Sequence, residues 1–340
     1  MPVARTSHTM KPEELELLGS ATRIVSSALG VAFGEHFLVL ADRSRVPLAE
    51  ALIGIAEGLD AKAQLIVFED LSLPPDADLA ALVASMLDDV QASVILVGAQ
   101  HSPPLRRAFV EAVERLGVRH AHIIGISRSA FATAFSAESS RVSDMTRAVS
   151  LKLMGKSLLR YQTPAGTKLE VRMPRDARWN ERGELIRPGK WVNLPGGQLN
   201  ALADDVNGVF VANSSSNLSF GGSANLQGRP ITFTLARGVI QSITSPDAQV
   251  EAEVIALVES EENLNRVGHL VVGANPGLSE PVGESMIDAC IPGLQLVFGW
   301  TNQRVTGATW TTLTSFCANG SSGDLDVDGA PLLRSGRYIL

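Results

Sequence analysis

Arg266-Val267-Gly268-His269-Leu270-Val271-Val272-Gly273-Ala274-Asn275-Pro276-Gly277 is the stretch on which the fold of this 340-residue chain turns. A short apolar run ends in Asn-Pro-Gly. Proline presets φ, and Asn and Gly tolerate left-handed backbone, so the triplet reads as a turn that closes a buried strand. His269 is the one strongly polar residue in that strand. Upstream, Pro195-Gly196-Gly197 is a second backbone device: its glycines permit positive φ and the close approach of another backbone. Such a turn aims the next side chain, Gln198, into a pocket. Both motifs read equally well as plain turns.

Around these two motifs, from about residue 160 onward, the chain consists of short β-type runs separated by Gly, Pro, Asn and Asp. Lys168–Met173, Val209–Ala212, Ile231–Leu235 and Val239–Ile243 are such runs. The Arg237-Gly238 step between the last two reads as a hairpin turn, and Asp328-Gly329 and Ser335-Gly336 mark turns near the end. One helix, Asp247 to Ser260, interrupts them, with Pro246 at its start and Glu251 and Glu253 in its first turns. The Ser-, Asn- and Gly-rich stretch from Asn213 to Asn225 reads as a lid or a solvated connection. Before residue 155 the texture is different. Strands at Phe37–Leu40, Gln64–Phe68, Ser93–Val97 and His122–Ile126 alternate with helices at Pro47–Leu59, Leu79–Leu87 and Pro104–Leu116. That alternation predicts a parallel sheet covered on both faces. No Gly-x-Gly-x-x-Gly follows the first strand and no Walker-type loop occurs, so a nucleotide site is not expected there. The expected organisation is an α/β domain over 1–158 and an α+β domain rich in antiparallel strands over 159–340.

Composition narrows the function classes. The chain is 45% hydrophobic and 19% charged, which excludes a disordered chain. Its net charge is −7 and its Lys and Arg residues are scattered, so a nucleic-acid surface is not expected. Two cysteines, Cys290 and Cys317, are too few for a disulfide scaffold or a zinc–thiolate site and read as reduced, buried thiols. The first ten residues, with Arg5 and His8, lack the apolar core of a signal peptide, and no apolar run approaches the ~20 residues of a membrane span. The expectation is a cytoplasmic protein with no membrane partner.

Four segments in order carry a resemblance: Thr163-Pro164-Ala165-Gly166-Thr167-Lys168-Leu169, Asn193-Leu194-Pro195-Gly196-Gly197-Gln198, the Arg266–Gly277 stretch, and Val327-Asp328-Gly329 with Gly336 after it. Together they resemble the aminopeptidase T family of metallopeptidases over nearly the whole chain, a family whose relatives include the iron-dependent 2,5-dihydroxypyridine dioxygenases. The resemblance implies an N-terminal α/β domain and a C-terminal domain with a metal centre. It places metal ligands at five positions: two carboxylates, a histidine and a His-x-Asp pair. Here those positions are Gln198, His269, Gln295 and, in the best register, Thr314 and Phe316. An amide offers a carbonyl oxygen but no charge, and no histidine follows His269, so most of the ligand set is replaced. The dioxygenase branch also has a histidine at the position of His269, but its two further ligands fall in the missing pair. A single imidazole does not hold iron with useful affinity.

Other residues do not rebuild a centre. Asp324, Asp326 and Asp328 resemble the start of a calcium loop, but Ser335 stands where the bidentate acid belongs, and a terminal hairpin explains them with less effort. Glu280, Glu284 and Asp288 follow Asn275 without a spacing that requires them near His269. His101, His120 and His122 read as solvated or interface residues. No Gly-x-Ser-x-Gly elbow and no Cys–His motif occurs. The expectation is therefore a non-catalytic protein without metal or cofactor, whose cleft at the replaced positions binds a peptide, such as a precursor peptide of a natural-product pathway. Trp300, Trp310, Glu280 and Glu284 are expected to line that cleft, and a homodimer suits the family. The competing expectation is a metal-dependent hydrolase or ring-cleaving dioxygenase with an altered site, in which His269 acts as base or lone ligand.

Overall fold

A computed structural model describes residues 11–71, 78–98, 103–216, 223–226, 228–301, 303 and 307–340. His101 and the first ten residues, with Arg5 and His8, lie outside them. Among the described residues one sheet is parallel throughout, in the order Lys62–Val67, His36–Ala41, Ala92–Val97, Arg119–Ile124, Trp191–Asn193. Helices Pro12–Thr22 and Val46–Gly58 cover one face, and Leu79–Met86 and Pro103–Leu116 cover the other. This is the two-faced burial that the apolar runs demand. Lys62–Val67 departs from the buried strand expected there: it is half-exposed because it pairs on one side only. Its apolar composition does not distinguish a centre from an edge. The fifth strand, Trp191–Asn193, comes from the second half of the sequence and pairs with Arg119–Ile124.

Two helices absent from the sequence reading, Arg128–Ala134 and Ser139–Leu153, follow the fourth strand. The second buries Val142, Val149 and Leu153 on one face, an i, i+7, i+11 stripe of helical period. His120 and His122 are buried under helix Pro103–Leu116, not solvated. The His120 ring stacks on Phe109 and its Nδ1 lies 2.7 Å from Ser93 Oγ; His122 packs against Trp191. Burial holds the His122 pKa down at about 3, with Arg106 acting in the same direction. Both rings are therefore neutral core residues.

The second half forms two antiparallel sheets packed face to face. One runs Val239–Thr244, Ile231–Ala236, Asp205–Ala212, Lys168–Arg172, Leu158–Gln162, Asp324–Val327, Ala330–Arg334, Arg337–Tyr338. The other, called here the site sheet, runs Ser223–Asn225, Ser214–Ser216, Phe316–Asn319, Gly293–Phe298, Val267–Gly273, Gln198–Ala201, Asn180–Arg182. The three expected hairpin turns have positive φ at both central residues (51° and 69° at Arg237-Gly238), the mirror-image geometry that matches strand twist. The Asp324, Asp326 and Asp328 carboxylates diverge, to Ser335 N–H, Arg334 and the Ser157 and Leu158 N–H groups, so they form no common loop site. The stretch from Asn213 to Asn225 is not a plain loop: its described parts are the two paired edge strands of the site sheet, and 217–222 lie outside the described residues. Between the sheets, alternate residues of each strand make the core. Phe298 and Phe316 stack at 4.8 Å there, beside Phe233.

Candidate functional site

The Pro-Gly-Gly and Asn-Pro-Gly motifs meet. A Cβ on Gly197, whose φ is +99°, would lie 2.7 Å from the Asn275 Cβ, and one on Gly196 would lie 2.5 Å from the Gly183 carbonyl oxygen. Both glycines are therefore required by close approach. Asn275, itself buried, donates from Nδ2 to the Gly196 carbonyl (3.0 Å) and accepts from Gly277 N–H (2.9 Å). Ala274 N–H donates to the Gly197 carbonyl. Under the junction lies Glu184, 1% exposed, which accepts from Gly196 N–H at 2.9 Å. Desolvation raises its pKa to about 7, against the bonds from Gly196 and Ser139.

Strand alternation then decides which side chains share a face. Leu199, Ala201, Leu270, Val272, Leu294, Leu296, Phe298, Phe316 and Ala318 point into the core between the sheets. The opposite face of the site sheet carries Gln198, Asn200, His269, Gln295, Cys317 and Asn319. Gln198, His269 and Gln295 thus share one face. Gln198 Nε2 lies 3.1 Å from Cys290 Sγ. His269 Nδ1 lies 3.0 Å from the Trp300 carbonyl oxygen, which can only accept, so Nδ1 carries the proton and Nε2 the lone pair. Burial lowers the His269 pKa to about 4, with Arg182 adding to the shift and the Trp300 carbonyl opposing it. Gln295 is fully buried and its Oε1 accepts from Gly320 N–H at 2.6 Å.

The other expected residues stand elsewhere. Phe316 belongs to the core, and the Thr314 N–H donates to Glu261. A pair of residues spaced i, i+2 on the polar face of the Phe316–Asn319 strand must be Cys317 and Asn319. Asn319 donates to Ser214 Oγ and to Ser285, and its Oδ1 lies 3.0 Å from Cys317 Sγ. Trp300 is 42% exposed, and Trp310 lies under the Arg266 guanidinium at 4.4 Å. Glu284 accepts from Ser127 N–H. Sequence reasoning did not single out Glu184, Asn200, Ser214, Ser285 or Asn319. The one signal available was the Phe316/Ala318 alternation, which assigns Cys317 and Asn319 to the opposite face.

The segment 282–291 lies over the polar face. Ala289 packs on Val271 and Val297, and Cys290 reaches Gln198. Asp288, fully buried, accepts from Val282 N–H (2.8 Å) and Gly283 N–H (3.0 Å), and burial raises its pKa. Desolvation pushes both thiols up as well, Cys317 to about 12 and Cys290 further, so neither is a nucleophile at neutral pH. The donor set does not fit a dinuclear or iron centre. Gly320 holds the Gln295 oxygen, so that amide turns an N–H toward the face, and this Nε2 has no partner. An N–H repels a cation. Among the described residues no group of three or more His, Cys, Asp or Glu side chains is placed to hold a metal ion.

A large cleft lies elsewhere. A cavity of about 1490 Å³ is lined by the loop 163–168, by 276–280, by 321–324 and by 335–338, with Arg141 and Met145 of helix Ser139–Leu153 as one wall. Three of the four segments that carry the resemblance contribute to it. Of the residues expected to line a cleft, it contains Glu280.

No family model and no curated protein sequence matches the chain. Solved structures do. The chain is similar to 2,5-dihydroxypyridine dioxygenase from Pseudomonas putida, at a TM-score of 0.65 and 17% identity over 99% of this chain and 98% of that one. It is similar also to wild-type AmpT from Thermus thermophilus, at a TM-score of 0.64 and 17% identity over 96% of this chain and all of that one. The chain has the fold of these proteins: a parallel α/β part followed by a part rich in antiparallel strands. Among the described residues no helix is long and apolar enough to cross a membrane.

Proposed function

We propose that this chain is a non-catalytic peptide-binding protein built on the scaffold it shares with a metallopeptidase and a dioxygenase, and that its ligand is a precursor peptide in natural-product modification. The supporting observation is the polar face of the site sheet. Gln198, Gln295, Cys317 and Asn319 are held by protein partners there, and 282–291 covers them, while a separate cleft of about 1490 Å³ is formed by the loops. That volume exceeds the ~300–1,000 Å³ of small-molecule pockets and suits a longer ligand. We read the protein further as a cytoplasmic homodimer, with free rather than paired cysteines. Metal analysis of the purified chain, with calorimetric titration of peptides encoded beside its gene, tests the proposal. A metal content well below stoichiometric together with saturable peptide binding is expected. Stoichiometric iron, zinc or manganese with turnover of a peptide or a dihydroxypyridine would overturn it in favour of an enzyme using His269. Light scattering tests the dimer.

A further inference from the structure

Three cations line the 1490 Å³ cleft. Arg141 on helix Ser139–Leu153, Lys168 at the start of its strand and Arg337 in the last strand all line it, and all three are exposed. None forms an ion pair or a side-chain hydrogen bond with another described residue. Several cations elsewhere are paired, among them Arg23 with Glu138, Arg119 with Glu35, Arg147 with Glu181 and Arg334 with Asp326. Two carboxylates also line the cleft: Asp324, which accepts from Ser335 N–H at 2.7 Å, and Glu280, so three cations stand against two anions. Three unpaired cations therefore converge on a protein whose net charge is −7. An excess of one sign of charge in a cleft raises the local concentration of ligands of the opposite sign.

Among the lining residues are the apolar Met145, Pro164, Ala165, Pro276 and Pro292, beside hydroxyls of Thr163, Ser279 and Ser322. The apolar ones offer contact to aliphatic side chains. Tyr338 is the one aromatic in the lining, and its hydroxyl donates to the Gly273 carbonyl, so the stacking platforms that single-stranded nucleic acid requires are missing from the cleft. We infer that the cleft binds an acidic, extended peptide segment, its carboxylates meeting Arg141, Lys168 and Arg337. The inference rests on the peptide-binding reading above and assigns that ligand its chemistry and its place.

The test uses the full chain and three labelled dodecamers of alternating Gly with Glu, Lys or Ser, followed by fluorescence anisotropy at low salt. Hydrogen exchange on the wild-type protein adds a map of the contact. The Glu peptide is expected to bind most tightly and to slow exchange at 162–168 and 335–338. It should weaken roughly tenfold or more in the triple variant Arg141→Glu, Lys168→Glu, Arg337→Glu, and also when salt is raised to about 0.15 M. These side chains are exposed, so the variant keeps its fold, and the single variant Arg337→Glu repeats the test with a smaller change. Equal binding of the Ser peptide in the cleft, or a Glu peptide unaffected by charge reversal, overturns the acidic assignment but leaves peptide binding standing. Displacement of the Glu peptide by a lower concentration of oligo-dT of the same charge also overturns it, in favour of nucleic acid. If none of the three dodecamers binds and the peptides encoded beside the gene fail as well, both readings fall.

Discussion

Replacing Glu184 by Gln isolates the energetics of the junction beneath the two turns. In the folded chain the Glu184 carboxyl has a pKa of about 7, raised chiefly by desolvation from 4.5. Between these two values the native state holds a proton that the unfolded chain releases, so this group stabilises at low pH. That contribution is lost as pH rises through 7. With the two pKa values, the loss between pH 5 and pH 8 is about 2–3 kcal/mol. Glutamine has the same shape, accepts from Gly196 N–H through Oε1 and places an amide N–H toward Ser139, but it never ionises. The advantage of the variant over the wild type is therefore expected to grow by about 2–3 kcal/mol from pH 5 to pH 8. Buried neutral histidines contribute with the opposite slope: His122 at about 3 and His269 at about 4 make stability rise with pH up to the unfolded value near 6.5. They are common to both proteins and cancel in the difference. Urea unfolding of the two proteins at pH 5, 6, 7 and 8 gives the comparison. A difference that stays constant across pH, or one that moves against the variant as pH rises, would refute the reasoning, because the carboxylate would then be ionised and useful in the folded state.

Further outcomes follow from the same geometry. Phe316→Ala removes a stacked ring from between the sheets and should cost about 3–5 kcal/mol in chemical denaturation, whereas Thr314→Ala should cost less than about 1. Gly197→Ala sets a Cβ 2.7 Å from Asn275 at a φ of +99°, and it should lower the melting temperature far more than Gly155→Ala, where the added carbon meets nothing within 4 Å. Thiol titration with a chromogenic disulfide at pH 8 should find Cys290 and Cys317 unreactive in the native protein and both reactive after unfolding, since burial raises both pKa values.

Local backbone chemistry was legible in the sequence. Arg237-Gly238, Asp328-Gly329 and Ser335-Gly336 are the hairpin turns their residues require, and Pro195-Gly196-Gly197 makes the close approach its glycines allow. Helix Ser139–Leu153 was missed despite its apolar stripe, because its first turn, Ser139-Ser140-Arg141, is polar. The last pair of site positions was not legible either. Thr311-Thr312-Leu313-Thr314 has strand-like residues, yet Glu261, some fifty residues away, accepts from the Leu313 and Thr314 N–H groups and delays the strand to Phe316. A distant carboxylate outweighed local propensity. The burial of Glu184 and of the His120–His122 pair escaped notice for a related reason: each is enclosed by elements remote in sequence, and a lone polar residue carries no periodicity.

The strand Trp191–Asn193 has a consequence for the order of events at the ribosome. A nascent chain can stack four strands of the first sheet as soon as Ile124 emerges, but His120 and His122 then lie on an open edge, without Trp191 to cover them. Some seventy further residues, two helices among them, must be synthesised before that edge closes. During this interval the newborn protein carries an unpaired parallel strand, the feature that invites association with other chains. A fragment that stops at residue 158 would keep that edge permanently.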